Sequence, residues 1–187
     1  MSLKKSAPFD DDLIARARHG DAHAFGELYE RYLSAIYRYV LYRIGDVADA
    51  EDLTEAVFLK AWEALDRYEV RDVPFSAWLY RIAHNVIIDR HRTYKASIPL
   101  DGVLPLRDEA AGPEDQFDAL ENIEAVSRAL SQLSPDYQQV LTLRFISGLS
   151  HAETGRVLKR SEEAVRVLQH RALSALRKLL DKEHETR

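Results

Sequence analysis

The chain has 187 residues, which suits one medium domain or two small ones. It contains no cysteine, so disulfides, a thiolate metal site and a cysteine nucleophile are excluded together, and a reducing compartment is the default. The net charge of −5 argues against a protein that coats nucleic acid indiscriminately, since such binding rests on neutralising phosphates.

The charge is unevenly spread. Residues 71–95 carry five cations against two anions, and 156–178 carry seven against two. Between them, 101–124 holds eight carboxylates against Arg107 alone, so two basic blocks flank an acidic one. An apolar fraction of 46% supplies a packed core, and no run of eighteen apolar residues occurs. The expectation is a cytoplasmic protein with no membrane insertion.

In chain order, Leu13, Ile14 and Ala17 predict a short leading helix. Phe25, Leu28, Tyr29, Tyr32, Leu33, Ile36, Val40 and Ile44 then follow the rhythm of one long amphipathic helix, with Asp21 as N-cap and Gly45 as stop. A third helix is predicted from about Asp49 to Asp66, with Leu53, Val57, Ala61 and Leu65 inward. A fourth runs from Pro74, at the first helical position, to about Tyr94. These elements define an N-terminal helical domain over 1–94.

Residues 95–116 contain Pro99, Gly102, Pro105, Gly112 and Pro113 without apolar periodicity, and read as a flexible acidic linker. Extended at ~3.4 Å per residue, it would reach about 75 Å and hold the two modules apart. That reach matches about two turns of duplex at ~34 Å each. Periodicity resumes over 117–187: a helix through Ile123, Val126 and Leu130, a break at Ser134-Pro135, and a helix to about Ser147 ended by Gly148. Ser150 with Glu153 forms a capping box opening a short helix to Leu158, and Ser161 caps a final long one. The predicted fold is all-α, two small helical domains, the second a helix-turn-helix.

Three constellations are candidates for function. In the final helix, Val165, Leu168, Ala172 and Leu176 make a packing face, while Arg166, Gln169, His170 and Arg171, with Lys159 and Arg160 in the turn, offer donors to base edges and phosphates. A helical hairpin with solvated charges has the same spacing. On the fourth helix, Arg81, His84, Asn85, Ile88 and Arg92 share one face beside Tyr68, Phe75, Trp78 and Tyr80. That is the mixture of rings and cations that binds unpaired bases, although each ring alone is as readily core. Finally, Asp46, Asp49, Glu51, Asp52 and Glu55 crowd the start of the third helix before it turns apolar at Val57, Phe58 and Trp62; they are either dipole partners on a solvated face or a protein-docking surface. His84, Asp89 and His91 are not spaced to share a face as metal ligands, and no glycine-rich phosphate loop occurs. No cofactor, no metal and no catalytic residue are expected.

The segment from Asp49 to Trp62, followed by Phe75 to Asn85, resembles the second conserved region of extracytoplasmic-function (ECF) sigma factors of bacterial RNA polymerase. Leu133-Ser134-Pro135 through Gly148-Leu149-Ser150 to His170-Arg171-Ala172 resembles their fourth region. The resemblance implies a promoter-reading subunit that is not itself an enzyme. Asp49, Asp52, Leu53, Glu55, Ala56, Phe58, Leu59 and Trp62 would dock on core RNA polymerase. Arg71, Asp72, Phe75, Trp78, Arg81, His84, Asn85, Ile88 and Arg92 would open and read the minus-ten element as melted single strand. Lys159, Arg160, Ser161, Arg166, Val167, His170 and Arg171 would read the minus-thirty-five element as duplex promoter DNA. An anti-sigma protein between the two domains is a further partner the resemblance allows, although no residue identifies one. The chain departs from the family at Thr154-Gly155, where Ile-Ala is frequent, at Lys159, where glycine is frequent, at Val167-Leu168-Gln169, and at Glu55, where glutamine is common. A repressor or activator acting through the helix-turn-helix alone is the competing reading, opposed by the docking segment and the aromatic-basic helix.

Overall fold

A computed structural model describes residues 8–69, 73–97, 123 and 125–185, and among these every regular element is helical. The first module holds α1 (Pro8–Arg18), α2 (Ala22–Ile44), α3 (Val47–Glu63) and α4 (Phe75–Ser97), with a 3-10 turn at Leu65–Arg67. Asp21 caps α2 as expected, its Oδ1 accepting the N–H groups of His23 and Ala24 at 3.0 and 3.1 Å. Gly45 ends it at φ +78, donating to the Leu41 carbonyl at 2.7 Å. The next helix starts earlier than expected because Asp46 is the cap, accepting the Asp49 N–H at 2.8 Å. Pro74 stands one residue before α4, and its carbonyl accepts the opening hydrogen bond from Trp78 at 3.1 Å. The helix continues into the first three residues of the expected linker; the remainder of that linker lies outside the described residues.

The core of this module joins Leu13 and Ile14 of α1, Leu28, Ile36 and Val40 of α2, Val57 and Ala61 of α3, and Leu79 and Ala83 of α4. One carboxylate is buried with them. Asp10 is only 2% exposed, paired with Arg31 and accepting the Tyr32 hydroxyl at 2.6 Å, so its charge is compensated within the fold. Burial pushes the Tyr32 phenol well above its ordinary pKa, and the Asp10 hydrogen bond adds to the shift.

The second module contains α5 (125–131), α6 (Pro135–Leu141), α7 (His151–Leu158) and α8 (Glu162–Glu185). The helix expected to run unbroken to Ser147 instead widens into a π turn over Thr142–Ile146. There the Ser147 N–H reaches back five residues to Thr142 at 2.9 Å, and Arg144 turns its guanidinium onto the Leu149 carbonyl. The hydroxyl of Ser134, expected as a cap, makes no cap bond; the Gln138 amide donates to the Leu133 carbonyl at 2.9 Å instead. The capping box at α7 is complete, with the Glu153 N–H on Ser150 Oγ at 3.2 Å and the Ser150 N–H on Glu153 Oε2 at 2.7 Å. Leu130, Leu133, Val140, Leu141, Val165, Leu168 and Ala172 form a separate core.

The two modules are not held apart as the linker's composition suggested. Leu143, Leu149 and Val157 of the second module belong to the core of the first, with α7 lying on α4 and the π turn on α2. At another point of contact, a Cβ added to Gly45 would stand 3.0 Å from Ser127 Cβ.

Candidate nucleic-acid interface

The aromatic set beside α4 divides when its burial is measured. Phe75 is 1% exposed, with its ring 5.5 Å from Tyr32, 5.5 Å from Tyr68 and 5.4 Å from Trp78. Tyr68 is buried too, donating its hydroxyl to the Val73 carbonyl at 2.8 Å, and burial raises that phenol to about 12. Tyr80 is buried against Tyr39 at 5.2 Å. Expected as stacking platforms for bases, Phe75, Tyr68 and Tyr80 are therefore corrected to core: edge-to-face packing occupies their rings. Trp78 remains half-exposed at the edge of this cluster. Arg71 and Asp72 lie outside the described residues.

The polar face of α4 is real but unevenly open. Asn85 and Arg92 are exposed, Ile88 is intermediate, and Arg81 and His84 are half-buried. Both half-buried groups line a cavity of about 310 Å³ whose far wall comes from the second module, including Gln139, Lys159 and Arg160. Burial and the neighbouring Arg43 depress His84 to about 4, against an opposing pull from Asp136, so near neutrality its ring is uncharged. Arg90 of the same helix bridges to α3, with its Nη2 3.1 Å from both carboxylate oxygens of Asp49.

In the helix-turn-helix, Val165, Leu168 and Ala172 face inward and Arg166, Val167, His170 and Arg171 outward, with Val167 50% exposed. Ser161 caps α8 through the Ala164 N–H at 3.2 Å. Arg166 leans on Glu162 one turn earlier, and Arg160 on Asp136 at 2.6 Å; both pairs are exposed, hence weak. Gln169 is engaged through its side-chain oxygen. Its Oε1 accepts from Arg144 Nε at 2.8 Å, tying α8 to the π turn. Desolvation together with Arg144 and Arg166 holds the neighbouring His151 below the ordinary imidazole range.

The two departures at α7 explain one another. A Cβ on Gly155 would meet the Arg160 carbonyl oxygen at 2.6 Å, and the Arg160 N–H closes onto the Gly155 carbonyl at 2.9 Å. The turn is thus folded tightly against the helix, and Lys159 takes the left-handed conformation, φ +55, that glycine usually supplies.

On α3, Asp52 and Glu55 are exposed, as are Leu59 at 59%, Trp62 at 37% and Val47 at 38%. Leu53 and Ala56 are only partly open. Phe58, expected on the docking surface, is 4% exposed with its ring 4.7 Å from Tyr29 and is corrected to core. Asp49 is engaged by Arg90. Among the described residues, no group of three or more His, Asp or Glu is placed to hold a metal ion.

Residues 28–97 match the Sigma-70 region 2 family and 129–178 match Sigma-70 region 4. The chain belongs to the ECF RNA polymerase sigma factors. Thus it is 32% identical to SigW of Bacillus subtilis over 89% of this chain and 94% of that protein. It is also 38% identical to BldN of Streptomyces coelicolor over 90% of this chain, although it spans only 65% of BldN's length. Among solved structures, CnrH in complex with the cytosolic domain of CnrY matches with a TM-score of 0.73 at 30% identity, covering 93% of this chain and 98% of CnrH. The chain is accordingly a DNA-binding transcription initiation factor that directs RNA polymerase to promoters. No helix among the described residues is long and apolar enough to cross a membrane.

Reasoning from sequence missed the polar residues that meet between the modules. Arg43 is only 6% exposed, close to Tyr39 and Gln139, and Ser127 is 7% exposed. The one available signal for Arg43 was a charge on the apolar stripe of α2, three residues after Val40.

Proposed function

We propose that α3 attaches this sigma factor to core RNA polymerase, that α4 captures the melted minus-ten strand, and that α8 reads the minus-thirty-five duplex. The attachment assignment is carried by the exposed strip of Leu59 and Trp62 beside Asp52 and Glu55, since large apolar side chains grouped on a charged helix mark contact surfaces. Asn85, Arg92, Arg81 and His84 supply α4 with hydrogen-bond donors and backbone cations, and Trp78 is the ring left open enough to stack on a base. On α8, Arg166, His170 and Arg171 offer donors to bases and phosphates, and Val167 an apolar contact for a thymine methyl group. The chain supplies recognition and strand opening in the cytoplasm, while bond formation belongs to the polymerase. An anti-sigma protein that withholds the chain from core is a further proposed partner.

A paired comparison tests this division. Replacing Leu59 and Trp62 together by Ala should weaken core binding by about 1–2 kcal/mol, roughly ten- to thirtyfold, and lower initiation equally at every promoter. Arg166→Ala should leave core binding intact and lower initiation at promoters according to their minus-thirty-five sequence. Equal, promoter-independent losses from both variants would contradict the assignment.

A further inference from the structure

The cavity of about 310 Å³ lies where α4 meets α6 and the turn between α7 and α8. Arg81 and His84 line it from α4, Gln139 from α6, and Lys159 and Arg160 from the turn. Asp136 is the one carboxylate lining it among the described residues, and it is already paired with Arg160 at 2.6 Å. Arg81 and Lys159 are thus left without a carboxylate in the lining to pair with. Like charges in a recess walled by protein concentrate a positive potential there. His84, uncharged near neutrality, adds hydrogen-bonding capacity to this lining rather than further charge.

A second observation is independent of the charge count. Arg81 Nε and His84 Nδ1 are both buried without a hydrogen-bond partner among the described residues. Buried polar atoms are costly when unpaired, and an acceptor seated in the cavity they line would remove that cost. The volume stands at the lower end of the ~300–1,000 Å³ of small-molecule pockets, with room for a small metabolite.

We infer that this cavity is a binding site for a small phosphate dianion, and its volume favours one carried as a monoester. Such a group bears about −1.5 to −2 charges at neutral pH, which matches the two cations left over, whereas a single carboxylate would match only one. The Arg81 guanidinium can fork onto two phosphate oxygens while Lys159 supplies a compact charge. Gln139 and Asn85 offer amides to hydroxyls on the body of the ligand. Arg81, Lys159 and Arg160 also belong to the sets proposed for the two promoter elements, so an occupied cavity should compete with DNA for them. Only that consequence rests on those assignments; the site itself does not.

Isothermal titration calorimetry of the purified full chain at constant ionic strength tests the site, with ribose 5-phosphate, inorganic phosphate and ribose as probes. Ribose 5-phosphate should bind saturably at one per chain, inorganic phosphate more weakly and ribose not at all; the tighter phosphate identifies the source. Arg81→Gln and Lys159→Gln should each weaken binding about tenfold, since each removes a charge that faces the phosphate. Asp136→Asn should tighten it about threefold, because it removes the negative charge from the lining and releases Arg160. A damaged fold cannot produce that gain. Absence of saturation with both phosphates, or an affinity unmoved by all three substitutions, would overturn the site. Saturable binding of ribose 5-phosphate that leaves promoter-dependent transcription with core unchanged would instead overturn the competition and the promoter assignments behind it.

Discussion

Replacing Gly155 by alanine sets two large effects in opposition. In an ordinary helix interior the change favours folding by about 1 kcal/mol. Here the new Cβ would stand 2.6 Å from the Arg160 carbonyl oxygen, where ordinary contact begins at 3.4 Å, so the turn must retreat by most of an ångström. Overpacking of this kind costs about 1–3 kcal/mol. Moving the turn also loosens the 2.9 Å bond from the Arg160 N–H to the Gly155 carbonyl, worth about 1 kcal/mol. The net expectation is destabilisation by about 1–3 kcal/mol, together with a displaced α8 and weaker minus-thirty-five recognition. Urea denaturation measures the first and transcription from minus-thirty-five-dependent promoters the second. Adding Lys159→Gly should recover up to about 1 kcal/mol by relieving the left-handed lysine. A Gly155→Ala protein with a raised urea midpoint would refute the reasoning.

Phe75→Ala should cost about 3–5 kcal/mol in thermal or chemical unfolding, because the ring is wholly enclosed; a fully stable variant that merely failed to melt promoters would restore Phe75 to the DNA-binding set. Gln169→Ala should lower minus-thirty-five binding by a similar factor whatever the base sequence, since it removes the Arg144 tie, whereas sequence-dependent loss in a promoter-variant panel would show a direct base contact. His84 is depressed from about 6.5 to about 4 in the folded chain, so its contribution to stability is complete above about pH 6.5 and is lost as pH falls towards 4. Arg43, Arg81, Lys159, Arg160 and Asp136 surround that ring and shape the same slope. Unfolding followed across this window should show a weaker pH dependence in His84→Gln than in wild type, and an unchanged profile would place the titration elsewhere.

Helices were legible because their signals are local. The apolar stripe from Phe25 to Ile44, the Asp21 cap, the Gly45 stop and the Ser150–Glu153 box each lie within one or two turns of the chain, and each folded as its spacing required. What the sequence concealed depends on partners far along the chain. Phe58 and Phe75 sit on helices whose polar neighbours suggested open surfaces, and only the packing of α2 and the 3-10 turn shows them enclosed. Gln169 carried the same pattern as Arg166 and His170, one helical face of donors, but its acceptor is committed to Arg144, 25 residues earlier. The packing of one module on the other was hidden for the same reason: Leu143, Leu149 and Val157, which set where the second module rests, find their partners far along the chain.

Run-off transcription tests the central claim most directly. Purified chain, core RNA polymerase and a mixture of genomic fragments should yield discrete transcripts that require both proteins, whose start sites share two sequence elements upstream. A chain that neither associates with core nor changes which fragments are transcribed would contradict the account.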